Sequence, residues 1–124
     1  MDTFTELYDR APLRAAHLNQ QHIARELERC GAFFDRVESH PLTQRQREAI
    51  VTDEDNTLVV AGAGTGKTSV VVGKVGYLVT RLGVPAEQVL LLAYNTDAAE
   101  EMRERVKQRL GLALSVSTLS LIHI

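Results

Sequence analysis

The residues best equipped for chemistry lie between Thr57 and Thr68, in the run T-L-V-V-A-G-A-G-T-G-K-T. An apolar, strand-like stretch drops into glycines and ends in Gly-Lys-Thr. Gly62, Gly64 and Gly66 let the backbone turn tightly, so several N–H groups can converge on phosphate oxygens where a helix begins. Lys67 then reaches the β- and γ-phosphates, and the Thr68 hydroxyl sits on Mg²⁺. The candidate cradle is Ala61, Gly62, Ala63, Gly64, Thr65, Gly66, Lys67, Thr68 and Ser69, with Lys67 and Thr68 as its catalytic pair. The strict pattern asks for glycine where Ala61 stands, a mild departure because that first position accepts a methyl group more easily than the sharply turned ones. A dinucleotide fingerprint is excluded by spacing, since the third residue after Gly64 is Lys67 rather than glycine. A plain glycine-rich turn is the bland alternative, and the strand context together with the Gly-Lys-Thr ending argues against it.

A second candidate precedes the cradle in L-T-Q-R-Q-R-E-A-I, residues 42–50. Thr43 and Gln46 have the spacing of a capping box, in which Gln46 reaches back to the Thr43 amide. A carboxamide also offers a donor and an acceptor together, which suits the N6 amine and N7 of adenine. Spacing alone leaves both readings open.

The elements that must position these residues follow from periodicity. Leu13, Ala16, Gln20, Ile23, Leu27 and Cys30 recur at helical spacing, predicting an amphipathic helix with Pro12 in its first turn and Gly31 just past its end. His17, His22 and His40 do not stand at metal-ligand spacing with Cys30, and solvated or helix-packing histidines account for them. Thr57 to Ala61 reads as a strand after the turn-forming residues 53–56. From Ser69 to Leu82, valines and Gly73 and Gly76 favour strand by propensity, yet a phosphate loop must open a helix. The helix reading is preferred, buried nearly all round, with the two glycines permitting close approach to a sheet and with Gly83 and Pro85 closing it. Val89 to Tyr94 reads as a strand buried on both faces. A helix from Asp97 to Leu110 follows, capped by Thr96, with Ala98, Met102, Val106 and Leu110 inward and a Glu101–Arg105 pair on a solvated, salt-bridged face. A third strand begins after Leu112. Strand, phosphate loop, helix, strand, helix, strand predicts an α/β fold: a partial RecA-like P-loop NTPase domain, a parallel sheet with flanking helices, over residues 41–124, preceded by a helical segment over residues 1–40.

Composition bounds the rest. With 124 residues the chain holds one domain at most, and 44% hydrophobic content is ordinary for a globular protein. A formal charge of −2 argues against a free-standing basic nucleic-acid binder. Lone Cys30 and an opening without a basic-then-apolar leader predict a reduced, cytoplasmic setting, and no run is long enough to span a membrane.

Taken in order, L-T-Q-R-Q-R-E-A-I, L-V-V-A-G-A-G-T-G-K-T and L-L-L-A-Y-N-T-D-A-A-E-E-M-R-E-R-V resemble the start of the UvrD/Rep-like superfamily 1 DNA helicases. The resemblance covers residues 42 to about 121. It implies ATP and Mg²⁺ as cofactors, Gln46 as an adenine contact, and single-stranded DNA as a partner of Tyr94, Asn95, Thr96 and Thr118. In the full-length family it implies ATP-driven 3′-to-5′ translocation and unwinding. Three departures stand out: Asp97 occupies a position where the family usually carries lysine, the histidine of T-L-H-S is missing from Thr118-Leu119-Ser120, and no Asp-Glu pair follows an apolar strand after Thr68. The chain is therefore expected to be an amino-terminal piece that is marginally stable, binds ATP weakly if at all and does not hydrolyse it. A non-catalytic nucleotide-binding fragment, or another small P-loop NTPase, is the alternative; a kinase or GTPase would need an acidic residue after a strand that is not found here.

Overall fold

Valine stiffness and glycine entropy both oppose a helix after Gly66, yet the helix forms, because its apolar side chains are buried against three others. The computed structural model describes residues 4–53, 56–60 and 66–118. Helix α1 spans Phe4–Arg29, α2 spans Gly31–Arg36, α3 spans Gln44–Val51 and α4 spans Lys67–Gly76. A π-helical turn, Tyr77–Arg81, continues α4; a short 3₁₀ turn, Ala86–Gln88, leads into strand β1, Leu90–Ala93. Helix α5, Thr96–Leu110, then crosses over to strand β2, Ser115–Thr118.

The amino-terminal helix is longer than its apolar stripe suggested. It begins at Phe4, so Pro12 lies inside it rather than in its first turn. Residues 5–11 include Glu6, Leu7, Arg10 and Ala11, good helix formers that carry the helix past the proline. Among the described residues, Ile23 and Leu27 of α1 and Cys30 just past it pack on the core, while Leu13, Ala16 and Gln20 are exposed. Nor does Gly31 close the helix in a left-handed conformation. Cys30 stays near the helical region (φ −98°, ψ 7°), its carbonyl accepts from the Phe34 amide at 3.0 Å, and the chain bends into α2 with Gly31 as its first residue. The bend lets Phe34 bury completely and sets Phe33 against Gly76.

Helix α4 explains the unusual glycines of its sequence. A Cβ at Gly73 would collide with Ile50 of α3, and one at Gly76 would collide with Phe33 and Leu110. The close approach is thus to helices, not to a sheet as expected. The amide of Leu82 bonds to Tyr77 O at 3.2 Å, five residues back, before Gly83 (φ +68°) ends the run. Widening the turn in this way buries Tyr77 and carries Arg81 over α1.

Strands β1 and β2 pair in parallel, with Leu90 opposite Ser115, Leu91 opposite Val116, Leu92 opposite Ser117 and Ala93 opposite Thr118. Two expectations about strands are corrected. Thr57 to Val60, the described part of the predicted phosphate-loop strand, is in no ladder among the described residues, and Leu58 is 88% exposed. A strand needs a hydrogen-bonded neighbour, and none of the described residues supplies one. Strand β1 is not covered on both faces, since Leu90 and Leu92 are 60% and 54% exposed. Only Leu91 and Ala93 turn toward α4 and α5. The cap of α5 is also corrected: Asn95, not Thr96, is the cap residue, its Oδ1 accepting from the Ala98 amide at 2.8 Å. Val106 is buried as expected and Met102 and Leu110 pack at the margin of the core, but Ala99 rather than Ala98 is the buried alanine of the first turn. Gly111 ends the helix as predicted, with φ +66°.

The core lies where α2, α3, α4 and α5 meet, and Phe34, Ile50, Val51, Val72, Val75, Tyr77 and Val106 are fully buried in it. Two buried carboxylates tie the amino-terminal elements to this core. Glu26 accepts from Tyr77 Oη at 2.9 Å and from both Arg81 Nε and Nη2 at 3.1 and 3.0 Å. Glu38 accepts from Arg105 Nη2 at 3.2 Å and lies 3.7 Å from Arg109 Nε, so Arg105 divides its charge between Glu38 and the predicted partner Glu101 at 3.9 Å.

Candidate functional site

Gln46 occupies the third position of α3, where it forms the capping box and also reaches the residue that opens α4. Its Oε1 accepts from the Thr43 amide at 2.8 Å while Thr43 Oγ1 accepts from the Gln46 amide at 3.3 Å, so the capping box is formed. Its Nε2 donates to Gly66 O at 3.4 Å, twenty residues away. Because the Thr43 amide can only donate, the orientation of the carboxamide is fixed by its partner. A carboxamide has two acceptor sites and two N–H groups, so one of each stays available after these bonds. That remaining pair is the number a purine edge of the adenine type requires.

Gly66 is the cap of α4, with a left-handed backbone (φ +84°, ψ 28°), and a Cβ there would run into Gln46 Nε2. Only glycine satisfies both constraints. Lys67, Thr68 and Ser69 form the first turn of α4, where backbone amides have no intrahelical acceptor. No acidic residue stands in that turn, and Lys67 is exposed while Thr68 and Ser69 are half-buried. The helix end thus offers amides without an intrahelical acceptor, a cation and two hydroxyls, a donor set that fits a phosphate with its metal ion. Ala61, Gly62, Ala63, Gly64 and Thr65 lie outside the described residues.

A lysine that the sequence reading passed over holds this arrangement together. Lys74 Nζ, two turns after Lys67, donates to Ile50 O at 2.7 Å and to Thr52 O at 3.0 Å at the far end of α3. Burial pushes its ammonium below the usual lysine value, opposed by the Asp53 carboxylate. The only sequence signal was a single charged side chain inside a valine-rich helix.

The second group of candidates lies at the carboxyl ends of the paired strands. Tyr94 and Asn95 follow β1 directly, Thr96 opens α5, and Thr118 is level with Ala93 in the ladder. All four therefore share one edge of the sheet. Tyr94 is 84% exposed. The Asn95 oxygen is engaged in the cap of α5, and Asp97 in the same turn sits favourably on the positive end of that helix. This explains in local terms why an acid is tolerated where the resemblance leads one to expect lysine.

The sequence pattern of the UvrD/REP helicase N-terminal domain matches residues 42–124. The chain belongs to that family. DNA helicase IV of Escherichia coli (strain K12) is 48% identical over 92 residues, covering 74% of this chain and 14% of the relative. The ATP-dependent DNA helicase UvrD1 of Mycobacterium leprae (strain TN) is 41% identical over 70 residues, 56% of this chain and 9% of the relative. The ATP-dependent DNA helicase PcrA of Staphylococcus aureus (strain Mu50 / ATCC 700699) is 37% identical over 82 residues, 66% of this chain and 11% of the relative. The chain thus spans a small part of the length of each of these UvrD-type proteins, the part in which both candidate groups lie. Among the described residues no helix is long and apolar enough to cross a membrane.

Proposed function

We propose that residues 41–124 belong to a RecA-like P-loop domain that binds ATP with Mg²⁺, and that residues 1–40 are a helical segment packed on it. In this reading Ala61 to Ser69 cradle the phosphates, Lys67 supplies the cation, Thr68 holds Mg²⁺ and Gln46 contacts the adenine edge. Tyr94, Asn95, Thr96 and Thr118 form a surface for single-stranded DNA at the carboxyl ends of β1 and β2, where ligands of open α/β sheets bind. The observation that carries the reading is the bond from Gln46 to Gly66, which places a carboxamide beside the residue that opens the Lys67 turn. In the parent helicase the bound nucleotide supplies the free energy of translocation; this chain's residues hold and orient it.

Hydrolysis needs more than holding. Phosphoryl transfer to water relies on a metal-binding acid, a water-orienting group and an arginine from across the cleft, in addition to phosphate amides and lysine. No Asp-Glu pair follows an apolar strand after Thr68. The 124-residue chain is therefore a binder and not a motor. Titration calorimetry with ATP and Mg²⁺ tests this: binding should be detectable and should weaken at least about tenfold in Lys67→Ala, the loss of one charge-assisted contact worth roughly 1.5 to 3 kcal/mol. Equal affinity in both proteins would remove the phosphate assignment, and DNA-stimulated ATP hydrolysis by the chain, abolished by Lys67→Ala, would remove the claim of inactivity.

A further inference from the structure

Helix α3 has eight residues, too few to hold its own position in water. Its place relative to the phosphate-loop helix is set by three contacts with α4, spaced along both helices. Gln46 Nε2 meets Gly66 O at the start, Ile50 packs over Gly73 in the middle, and Lys74 Nζ meets the Ile50 and Thr52 carbonyls at the end. The last carbonyls of a helix have no intrahelical donor and carry the negative end of its dipole. A half-buried ammonium giving two bonds there is an anchor, and because α3 is short, fixing its last turn fixes the reach of Gln46 near its first. Ile50 and Val51 bury the apolar side of that turn in the core, but among the described residues the other polar bonds nearby lead elsewhere: Thr52 Oγ1 donates within the turn to Glu48 O, and Arg47 donates to Leu42 O and Asp35.

We propose that Lys74 is the positioning residue for Gln46: by clamping the last turn of α3 to α4 it keeps the Gln46 carboxamide on Gly66, so that base discrimination depends on a lysine remote from the base. The inference rests on the nucleotide reading of Gln46 given above, but its geometric half is independent of it. Lys74→Met keeps the aliphatic stem and removes the donors; Lys74→Arg restores donors.

The test reads the two halves separately in the 124-residue chain. The side-chain amide signals of Gln46 in a ¹⁵N–¹H spectrum, assigned by their loss in Gln46→Ala, should move to the position of a solvated carboxamide in Lys74→Met and return in Lys74→Arg. In parallel, the ratio of ATP to GTP affinity should fall by about threefold to tenfold in Lys74→Met, the share of one displaced hydrogen-bonding group. Adding Gln46→Ala to Lys74→Met should lower the ratio no further. Unmoved Gln46 signals in a folded Lys74→Met protein would overturn the clamp. Moved signals with unchanged base preference would overturn its functional half, whereas a wild-type chain that binds neither nucleotide would overturn the nucleotide reading itself. Should Lys74→Met fail to fold, Lys74→Gln, with its polar head on a shorter stem, is measured in the same way and judged by the same outcomes.

Discussion

At the scale of single residues, Gln46 caps α3 and reaches Gly66, and the proposed nucleotide site gives it a base contact as well. Its capping role and its bond to Gly66 use half of its hydrogen-bonding capacity, so removing it should have two separable effects. Gln46→Ala should lower the midpoint of urea unfolding and also erase preference for ATP over GTP, because a site built around one base edge leaves its groups unpaired with another. Thr43→Ala removes the cap without touching the carboxamide's free edge. It should cost roughly 0.5 to 2 kcal/mol of stability with base preference intact. If Thr43→Ala and Gln46→Ala changed base preference equally, the cap alone would account for it. The capping box was legible in the sequence because it is a matter of three-residue spacing. The contact with Gly66 was not, since it joins positions twenty residues apart whose meeting depends on how α3 lies on α4. Lys74 was illegible for the same reason: its acceptors are main-chain carbonyls, which no side-chain pattern announces.

Among the elements, a buried carboxylate on α1 holds it to the π-helical turn that continues α4. The Arg81 guanidinium holds the Glu26 carboxyl below the usual glutamate range, aided by the Tyr77 hydroxyl and opposed by burial, while burial and the Glu26 charge push the Tyr77 phenol far above its ordinary value. A carboxylate whose folded value is depressed stabilises the fold at pH above its unfolded value, about 4.3, and that contribution disappears as pH falls through the lower folded value. Glu26→Gln should therefore be less stable than wild type at neutral pH and should lose less stability on acidification, the two unfolding curves converging below about pH 4. Urea midpoints measured from pH 7 to pH 3 check this, and parallel acid limbs would show that Glu26 does not hold α1. Tyr77→Phe removes one of its bonds and should cost about 0.5 to 1.5 kcal/mol. Helices α3 and α5, the carboxyl half of α1, the parallel order of β1 and β2 and the glycine at the end of α5 followed from periodicity and punctuation in the sequence. The cap shift to Asn95 and the continuous bend at Cys30 did not, because neighbouring polar residues compete for a cap and because burial of Phe34 decides whether a glycine ends a helix or begins one.

The whole molecule carries more apolar surface than its fold covers, and this sets its behaviour in solution. Leu58 and Val60 are almost fully exposed beside a backbone that is unpaired among the described residues, and Leu90 and Leu92 expose one face of a sheet of two described strands. Between them an apolar cavity of about 300 Å³ is lined by Thr57, Val59, Val71, Val75, Leu90 and Leu91. Parallel strands are ordinarily buried on both faces, and a two-stranded pair without such cover contributes little stability of its own. Exposed β-forming segments of this kind also pair with copies of themselves. The 124-residue chain should accordingly be marginally stable and should self-associate as concentration rises, which sedimentation velocity at several loadings can follow. The side chains at 58 and 60 face solvent, so Leu58→Lys with Val60→Lys should suppress association while leaving the thermal midpoint of the dilute protein within a few degrees of wild type. A chain that sediments as a monomer at the highest loading, or a double variant that associates as readily as the parent, would show that these exposed positions do not govern its association.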